Sequence, residues 1–221
     1  MHLPKLTSLL IAFVLMNQIV YAQNEVPGKN SISWSPFRMA DPVNPGIELG
    51  FERSHGKKYA LSISAGYMTR LFDMGSFTNY KGMRLSVEEK AFVPFGPEFS
   101  NRNYVSAETV FLNVKYSSSG QFAADTSLNA ASYYDSFRVS KQTLALNIKF
   151  GFLLDVRIKK FFVDFSVGAG LKYKMVKRNG LIDPDAFELS PRHPNAYFTA
   201  DKRGNYFTGN LPVNIKLIYS L

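Results

Sequence analysis

The chain has 221 residues, contains no cysteine and carries a formal net charge of +9. Without cysteine it cannot form a disulfide framework, a thiolate metal site or the acylated terminus of a lipoprotein. Its basic residues are scattered or lie near predicted strand ends, as at Lys57, Lys58 and 172–178, so the charge does not indicate nucleic-acid binding.

The N-terminus has the pattern of an export signal. Lys5 supplies the positive charge, residues 9–15 form a short apolar core, and the run ending at Ala22 suits cleavage by signal peptidase. An uncleaved membrane anchor is the alternative, but the apolar stretch is too short to span a bilayer. We therefore predict a signal peptide over 1–22 and one mature domain over 23–221, beginning at Gln23.

The mature chain shows no pattern for a membrane-spanning helix, although 14% of all residues are aromatic. A chain that faces lipid without such helices must close its sheet into a barrel, since open strand edges cannot be hydrated in hydrocarbon. The period-2 alternation of a barrel strand, apolar outward and polar inward, is the pattern to look for.

The segment 161–175 shows this alternation most clearly. Apolar residues fall on one face and polar or small residues on the other, with Phe162 as the exception. The segment is long enough to cross a membrane at a tilt. The residues predicted to face lipid are Phe161, Val163, Phe165, Val167, Ala169, Leu171, Tyr173 and Met175.

Two further segments repeat the pattern, at 143–155 and 213–221. Five weaker ones precede them, so the chain is predicted to form an eight-stranded antiparallel up-and-down barrel, an even count that suits bacterial membrane barrels. In the fifth strand we predict that Val110, Leu112, Val114 and Tyr116 face lipid. Glu89 and Glu108 then fall on the apolar side, which indicates either a β-bulge or a position at the membrane boundary.

The predicted connections differ in length between the two ends of the barrel. The turns at 54–57 and 157–160 are short and share one end with the linker at 94–103, whereas 39–45, 71–80, 117–137 and 177–210 are predicted loops at the other end. This asymmetry is typical of outer-membrane barrels, with short turns in the periplasm. A soluble lipocalin-type barrel, the structural alternative, would instead line its interior with apolar residues.

Several of these segments resemble small outer-membrane β-barrel proteins of Bacteroidota, a group largely without assigned function. The similar segments are GMRLSVEEK at 82–90, YVSAETVFLNVKY at 104–116, LNIKFG at 146–151, FFVDFSVGAGLKY at 161–173 and LPVNIKL at 211–217. They cover most of the mature chain, although each is short. The resemblance implies an eight-stranded barrel in the outer membrane.

The interior of an eight-stranded barrel is just filled by side chains. Because buried charges are costly unless paired, we predict a closed network of salt bridges, with a narrow ion path as the alternative. Gly66, Gly151, Gly168 and Gly170 are predicted to make room for it. The charged residues predicted to face inward are Glu48, Glu52, Arg84, Glu88, Lys90, Lys115, Lys149, Asp155, Asp164, Lys172, Lys174 and Lys216.

A catalytic site is not indicated. A serine hydrolase needs serine, histidine and carboxylate within reach of one another, yet the two mature histidines, His55 and His193, are predicted at opposite ends of the barrel. Ser190 or Ser136 near His193 is the remaining possibility, without specific spacing. The acidic run at 183–188 lacks the glycine and the ligand spacing of an EF-hand, so neither a metal site nor a cofactor is predicted.

The sequence thus predicts a non-enzymatic integral outer-membrane protein with a structural or surface-interaction role. The alternatives are a narrow channel or small-ligand transporter and, with less support, an enzyme that modifies outer-leaflet lipids. Expected partners are outer-membrane lipids, lipopolysaccharide and the barrel-assembly machinery during insertion. We predict a monomer, since a closed barrel has no free strand edge.

Overall fold

Alternating sequences produce strands throughout the computed structural model, which describes residues 30–41, 44–56, 58–70, 78–93, 103–123, 132–156, 158, 160–181, 187–190 and 203–221. The predicted signal peptide, the acidic run at 183–186 and His193 lie outside these ranges. Among the described residues, no helix is long and apolar enough to cross a membrane.

The described ranges form ten strands and one short 3-10 helix. The strands are β1 Asn30–Trp34, β2 Gly46–His55, β3 Tyr59–Thr69, β4 Thr78–Phe92, β5 Asn103–Ala123, β6 Ser132–Asp155, β7 Phe161–Asn179, β8 Phe187–Ser190, β9 Gly204–Asn210 and β10 Val213–Ser220, and the 3-10 helix is Pro36–Ala40.

The strands close into an antiparallel barrel in which β1 to β7 pair in sequence order and β10 pairs with both β7 and β1. Strands β9 and β10 lie along the same edge of β7 and are separated by Leu211 and Pro212. Because proline has no N–H, pairing is interrupted there, although Gly168 N still donates to Pro212 O over 3.0 Å. Counted as one barrel strand, β9 and β10 complete the predicted eight.

The two ends of the barrel differ. At one, called here the turn end, the β2–β3 and β6–β7 connections are short and the described chain termini meet, with Leu221 N donating to Asn30 O over 3.0 Å. At the other, the loop end, β5 and β6 continue as a paired hairpin to Ala123 and from Ser132, and β8 pairs with β5 there. The prediction of loops over all of 117–137 and 177–210 was therefore wrong, because cross-strand hydrogen bonds extend the sheet into both segments.

The outer face of the barrel is apolar. Large hydrophobic side chains are exposed on every strand of the closed barrel, and Ile148 and Leu171 are 67% and 64% exposed. On β6 the outward apolar residues run from Leu144 to Leu154, a rise of about 34 Å along the strand. At a tilt of about 40° that rise is a band of about 26 Å, close to the apolar band of membrane barrels.

The interior has apolar layers at both ends. The loop-end cluster consists of Met68, Tyr80, Leu112, Val114, Tyr116, Phe122, Phe137, Val139 and Val176. The turn-end cluster consists of Ala60, Phe92, Tyr104, Leu153 and Ile218, with Phe162 packed against it. Phe162 departs from the alternation of its strand because it belongs to this inner cluster.

The predicted faces of β5 were inverted. Val114 is fully buried in the loop-end cluster, whereas Lys115 is exposed on the outer face. The barrel interior is apolar at this height, so an inward-facing strand segment is apolar too. Lys115 therefore does not belong to the interior, contrary to the prediction.

The two carboxylates that broke the alternation need no bulge, since β4 and β5 pair without a register shift from Lys81 to Phe92. Glu108 is buried inside the barrel, as the corrected facing of β5 requires. Glu89 faces outward near the turn-end terminus of β4, where its Oε1 lies 2.8 Å from His55 Nε2. For Glu89, the position at the boundary of the apolar band accounts for the exception.

Gly151 makes room for one large interior side chain. It lies directly opposite Tyr104 on β5, and a Cβ at Gly151 would overlap the tyrosine ring. The ring packs edge-on to Phe92 with centroids 5.8 Å apart. The missing side chain thus lets an aromatic residue fill the turn end of the barrel.

Candidate functional site

Between the two apolar clusters lies a layer of paired charges, called here the interior network. It contains five cations and five anions, so its formal charges cancel. Its members are Arg38, Glu48, Glu52, Arg84, Glu88, Lys90, Glu108, Lys149, Asp164 and Lys216.

The loop-end side of the network is held by two arginines around one carboxylate. Arg38, in the 3-10 helix, and Arg84, on β4, place Nε 3.4 Å and 2.8 Å from Glu48 Oε2. Arg84 Nη2 also lies 3.6 Å from Glu108 Oε1. The Arg38 side chain further pairs with Asp41 at 3.1 Å and donates to Asn214 Oδ1 over 2.8 Å. The 3-10 helix thereby directs a cation into the barrel.

The centre of the network is a lysine pair around Glu88. Lys149 Nζ lies 3.0 Å from Glu88 Oε1 and 3.2 Å from Glu108 Oε1, while Lys216 Nζ lies 3.1 Å from Glu88 Oε2. Ser106 Oγ donates to Glu88 Oε1 over 2.7 Å. Together with the two arginines, these contacts form an unbroken chain of alternating charge across the barrel.

The turn-end side is a separate triad. Lys90 Nζ lies 2.7 Å from Glu52 Oε2 and 2.7 Å from Asp164 Oδ2. The Tyr104 hydroxyl donates to Asp164 Oδ1, and Lys90 Nζ sits 4.7 Å from the centre of the Tyr104 ring. Tyr104 thus joins the triad to the turn-end apolar cluster.

Neutral side chains donate further hydrogen bonds to the carboxylates of the network. Ser64 Oγ donates to Glu48 Oε1 over 2.9 Å, and Asn147 Nδ2 donates to Glu108 Oε2 over 2.9 Å. Asn210 Nδ2 in turn donates to Asn147 Oδ1 over 2.6 Å. Since buried ions lower their free energy only when their remaining lone pairs and protons are also satisfied, these contacts help to stabilise the charged layer.

Of the twelve predicted interior charges, eight lie in the network. Lys172 and Lys174 are half-buried on the inner wall nearer the loop end, where Lys172 Nζ contacts Asn210 Oδ1 at 3.4 Å and Lys174 Nζ lies 5.8 Å from the Tyr206 ring centre. Asp155 is the last residue of β6 and is exposed at the turn end, because the barrel wall ends there. Lys115 lies outside the barrel.

Sequence reasoning missed Arg38 and Glu108. Arg38 lies between the predicted first strand and the predicted loop at 39–45, and no periodic pattern marks a 3-10 helix of five residues that turns inward. Glu108 had a detectable signal, since Ser106 and Glu108 are polar residues at the same parity of β5. The apolar residues that follow at the same parity outweighed them.

Of the two mature histidines, the structure describes His55. His55 lies at the turn end, stacked on Tyr59 with ring centroids 6.0 Å apart and paired with Glu89. His193, Asp183 and Asp185 lie outside the described residues. Within the described ranges, no group of three or more histidine or acidic residues is arranged to hold a metal ion.

The network and its two apolar caps define this protein as a closed eight-stranded antiparallel β-barrel with a charged, filled interior. No protein family, curated protein or solved structure matches the chain. The arrangement is suited to holding the barrel wall together from inside, since each ion pair of the network links residues from different elements, either two strands or the 3-10 helix and β2.

Proposed function

We propose that this protein is a non-enzymatic integral outer-membrane β-barrel with a structural or surface-interaction role. The observation that carries the proposal is the reversed distribution of polarity: exposed apolar residues on every barrel strand surround a buried layer of charge. Exposing that much apolar surface to water and burying those charges would both raise the free energy of a water-soluble barrel. In a bilayer the same surface contacts acyl chains.

The proposal includes export and direction of insertion. The predicted signal peptide at 1–22 would deliver the chain to the periplasm, where the barrel-assembly machinery would fold it into the outer membrane. The turn end, where the described termini meet, would then face the periplasm and the loop end the exterior. The resemblance to small barrels of Bacteroidota is part of the same proposal.

The interior does not favour a channel. The loop-end and turn-end clusters lie above and below the ion-paired layer, and the two largest buried side chains at the turn end, Tyr104 and Lys90, contact each other. An ion path would have to break several buried pairs at once. A surface or structural role needs no such rearrangement.

Membrane fractionation and heat-modifiability test the proposal. The expressed full-length protein should fractionate with the outer membrane, begin at Gln23 by N-terminal sequencing, and migrate differently on gels before and after boiling. Recovery as soluble periplasmic protein with unchanged migration would contradict it.

A pair of matched variants sharpens the test. Ile148→Arg puts a charge in the middle of the apolar band and should reduce the inserted fraction severalfold, since a cation there costs about 2–4 kcal/mol. Asn205→Arg adds the same charge at an exposed position of β9 near the loop end and should insert like the wild type. Equal insertion of both variants would argue against lipid contact at Ile148.

A further inference from the structure

Four basic side chains face outward on four consecutive strands near the loop end. They are Lys81 on β4, Lys115 on β5, Arg138 on β6 and Lys177 on β7, and together they are called the basic belt. All four are exposed.

Strand register places the belt residues close together. Lys81 lies directly opposite Lys115, Lys115 lies opposite Ser140, and Ser140 lies opposite Lys177. Arg138 lies between Ser117 and Asn179 in the adjacent row. With strands about 4.8 Å apart, the row from Lys81 to Lys177 extends over about 14 Å.

The apolar band begins immediately below the belt. One outward position closer to the turn end, the row reads Met83, Asn113, Gln142 and Met175, and the next row reads Leu85, Phe111, Leu144 and Tyr173. The belt thus lies where the apolar outer surface gives way to polar residues. In a bilayer this is the height of the lipid head groups.

The belt carries unbalanced charge. Lys81 and Lys115 lie directly opposite each other on neighbouring strands. Like charges in such a pair destabilise a sheet. In the described part of the chain, none of the four makes an ion pair, and the residues directly opposite them, besides Lys81 and Lys115 themselves, are threonine, serine and asparagine.

We propose that the basic belt binds the phosphate groups of lipopolysaccharide while the acyl chains of the same molecule pack on the apolar rows below. This inference rests on the proposed outer-membrane location. Lysine and arginine donate charge-assisted hydrogen bonds to phosphate oxygens. A row about 14 Å long exceeds what one phosphate can contact, which favours a broad glycolipid head group over a single phospholipid.

The test compares two double variants with the same loss of charge. Lys81→Gln with Lys115→Gln removes the directly opposed pair of the belt, and Arg53→Gln with Lys160→Gln removes two exposed cations at the turn end. The mature barrel of each is reconstituted in phosphatidylcholine nanodiscs and titrated with purified lipopolysaccharide. The belt variant should bind about tenfold more weakly or worse, and the turn-end variant should bind like the wild type.

Two further measurements fix the source of the phosphate. Binding by the wild type should weaken as salt is raised, since exposed charges are screened. Phosphatidylglycerol, added in place of lipopolysaccharide, should bind the wild-type barrel more weakly and displace little bound lipopolysaccharide. Equal loss of affinity in both double variants, no loss in either, or equal binding of phosphatidylglycerol would overturn the inference.

The lipopolysaccharide site and the outer-membrane location can fail separately. If the wild type inserts and is heat-modifiable but the belt variant retains full affinity, the barrel proposal stands and the lipopolysaccharide site falls. If the wild type does not enter membranes at all, both fall. Heat-modifiability of each variant also shows that a loss of affinity is not a loss of folding.

Discussion

Lys149 illustrates how single residues stabilise the interior. Its side chain is fully buried and its ammonium group lies between two carboxylates, those of Glu88 and Glu108. Removing one member of a buried ion-paired group destabilises a protein much more than replacing the whole group with apolar residues, since the remaining charges stay desolvated. The two glutamates would be left directly opposite each other on the adjacent strands β4 and β5 with one cation fewer.

Replacing Lys149 should therefore destabilise the barrel strongly. Lys149→Met keeps the length of the side chain and removes the charge, and we expect a loss of about 3–5 kcal/mol in the free energy of unfolding. Urea unfolding of the protein in detergent micelles, followed by tryptophan fluorescence, measures it. Lys115→Met is the matched control on β5, since its exposed position should keep the change within about 0.5 kcal/mol. Comparable losses in the two variants would contradict the placement of Lys115 outside the barrel.

Gly151 offers a second test at this scale. Gly151→Ala forces a methyl group against the Tyr104 ring, and overpacking of this kind costs about 1–3 kcal/mol. Gly209→Ala is the control, because no heavy atom lies within 4 Å of a Cβ built there. Unfolding midpoints in urea should fall for the first variant only. When Tyr104→Ala has removed the ring, the clash is absent, so Gly151→Ala should lower the unfolding midpoint by less than it does in the wild type.

At the scale of single elements, β5 is the strand on which the alternation is hardest to interpret. It is 21 residues long and passes through three environments on its inner side: the turn-end cluster, the interior network and the loop-end cluster. Its outward residues change from apolar to polar at Asn113 and Lys115, where the apolar band ends. In its second half, apolar residues therefore face inward and polar residues outward, as in a soluble protein.

Single cysteines test the facing of β5, since the chain has no cysteine of its own. Lys115→Cys should react within minutes with a water-soluble maleimide on the folded protein, because this position is exposed. Val114→Cys, fully buried in the wild type, should react only after unfolding. Both should label equally in denaturant. Rapid labelling of Val114→Cys in the folded barrel would contradict the buried position of Val114 and support the outward facing that the sequence predicts.

At the scale of the whole molecule, the charged layer of the interior lies between the loop-end and turn-end apolar clusters. Apolar caps at both ends shield the charges from water, which strengthens their mutual attraction. We expect no stable, reproducible single-channel conductance when the purified protein is added to planar bilayers. A reproducible open level would favour the channel alternative, and Glu88→Gln would then be expected to alter its ion selectivity.

Orientation is a second prediction for the whole molecule. Ser119→Cys, exposed on the β5 extension, should react with an impermeant maleimide on intact cells, because the loop end is proposed to face outward. Val156→Cys, exposed at the turn end, should react only after the outer membrane is permeabilised. The reverse pattern would invert the proposed orientation and remove the basic belt from the outer leaflet.

The sequence alone determined the all-β class, the number of barrel strands and the facing of seven of them. Alternation with period 2 is a local property, and in segments such as 161–175 one face stays apolar along its whole length. Charges on the other face could then be assigned to the interior, where ten of the twelve predicted residues lie, eight of them in the interior network. The short connections at the turn end also followed from local composition.

Tertiary structure alone decided the rest. Whether an apolar residue of β5 faces lipid or the loop-end cluster depends on its height in the barrel, which no local pattern encodes. The insertion of Arg38 depends on where a short 3-10 helix lies relative to Glu48 and Asn214. The basic belt likewise exists only through register, since Lys81, Lys115, Arg138 and Lys177 are far apart in sequence and become neighbours when four strands pair.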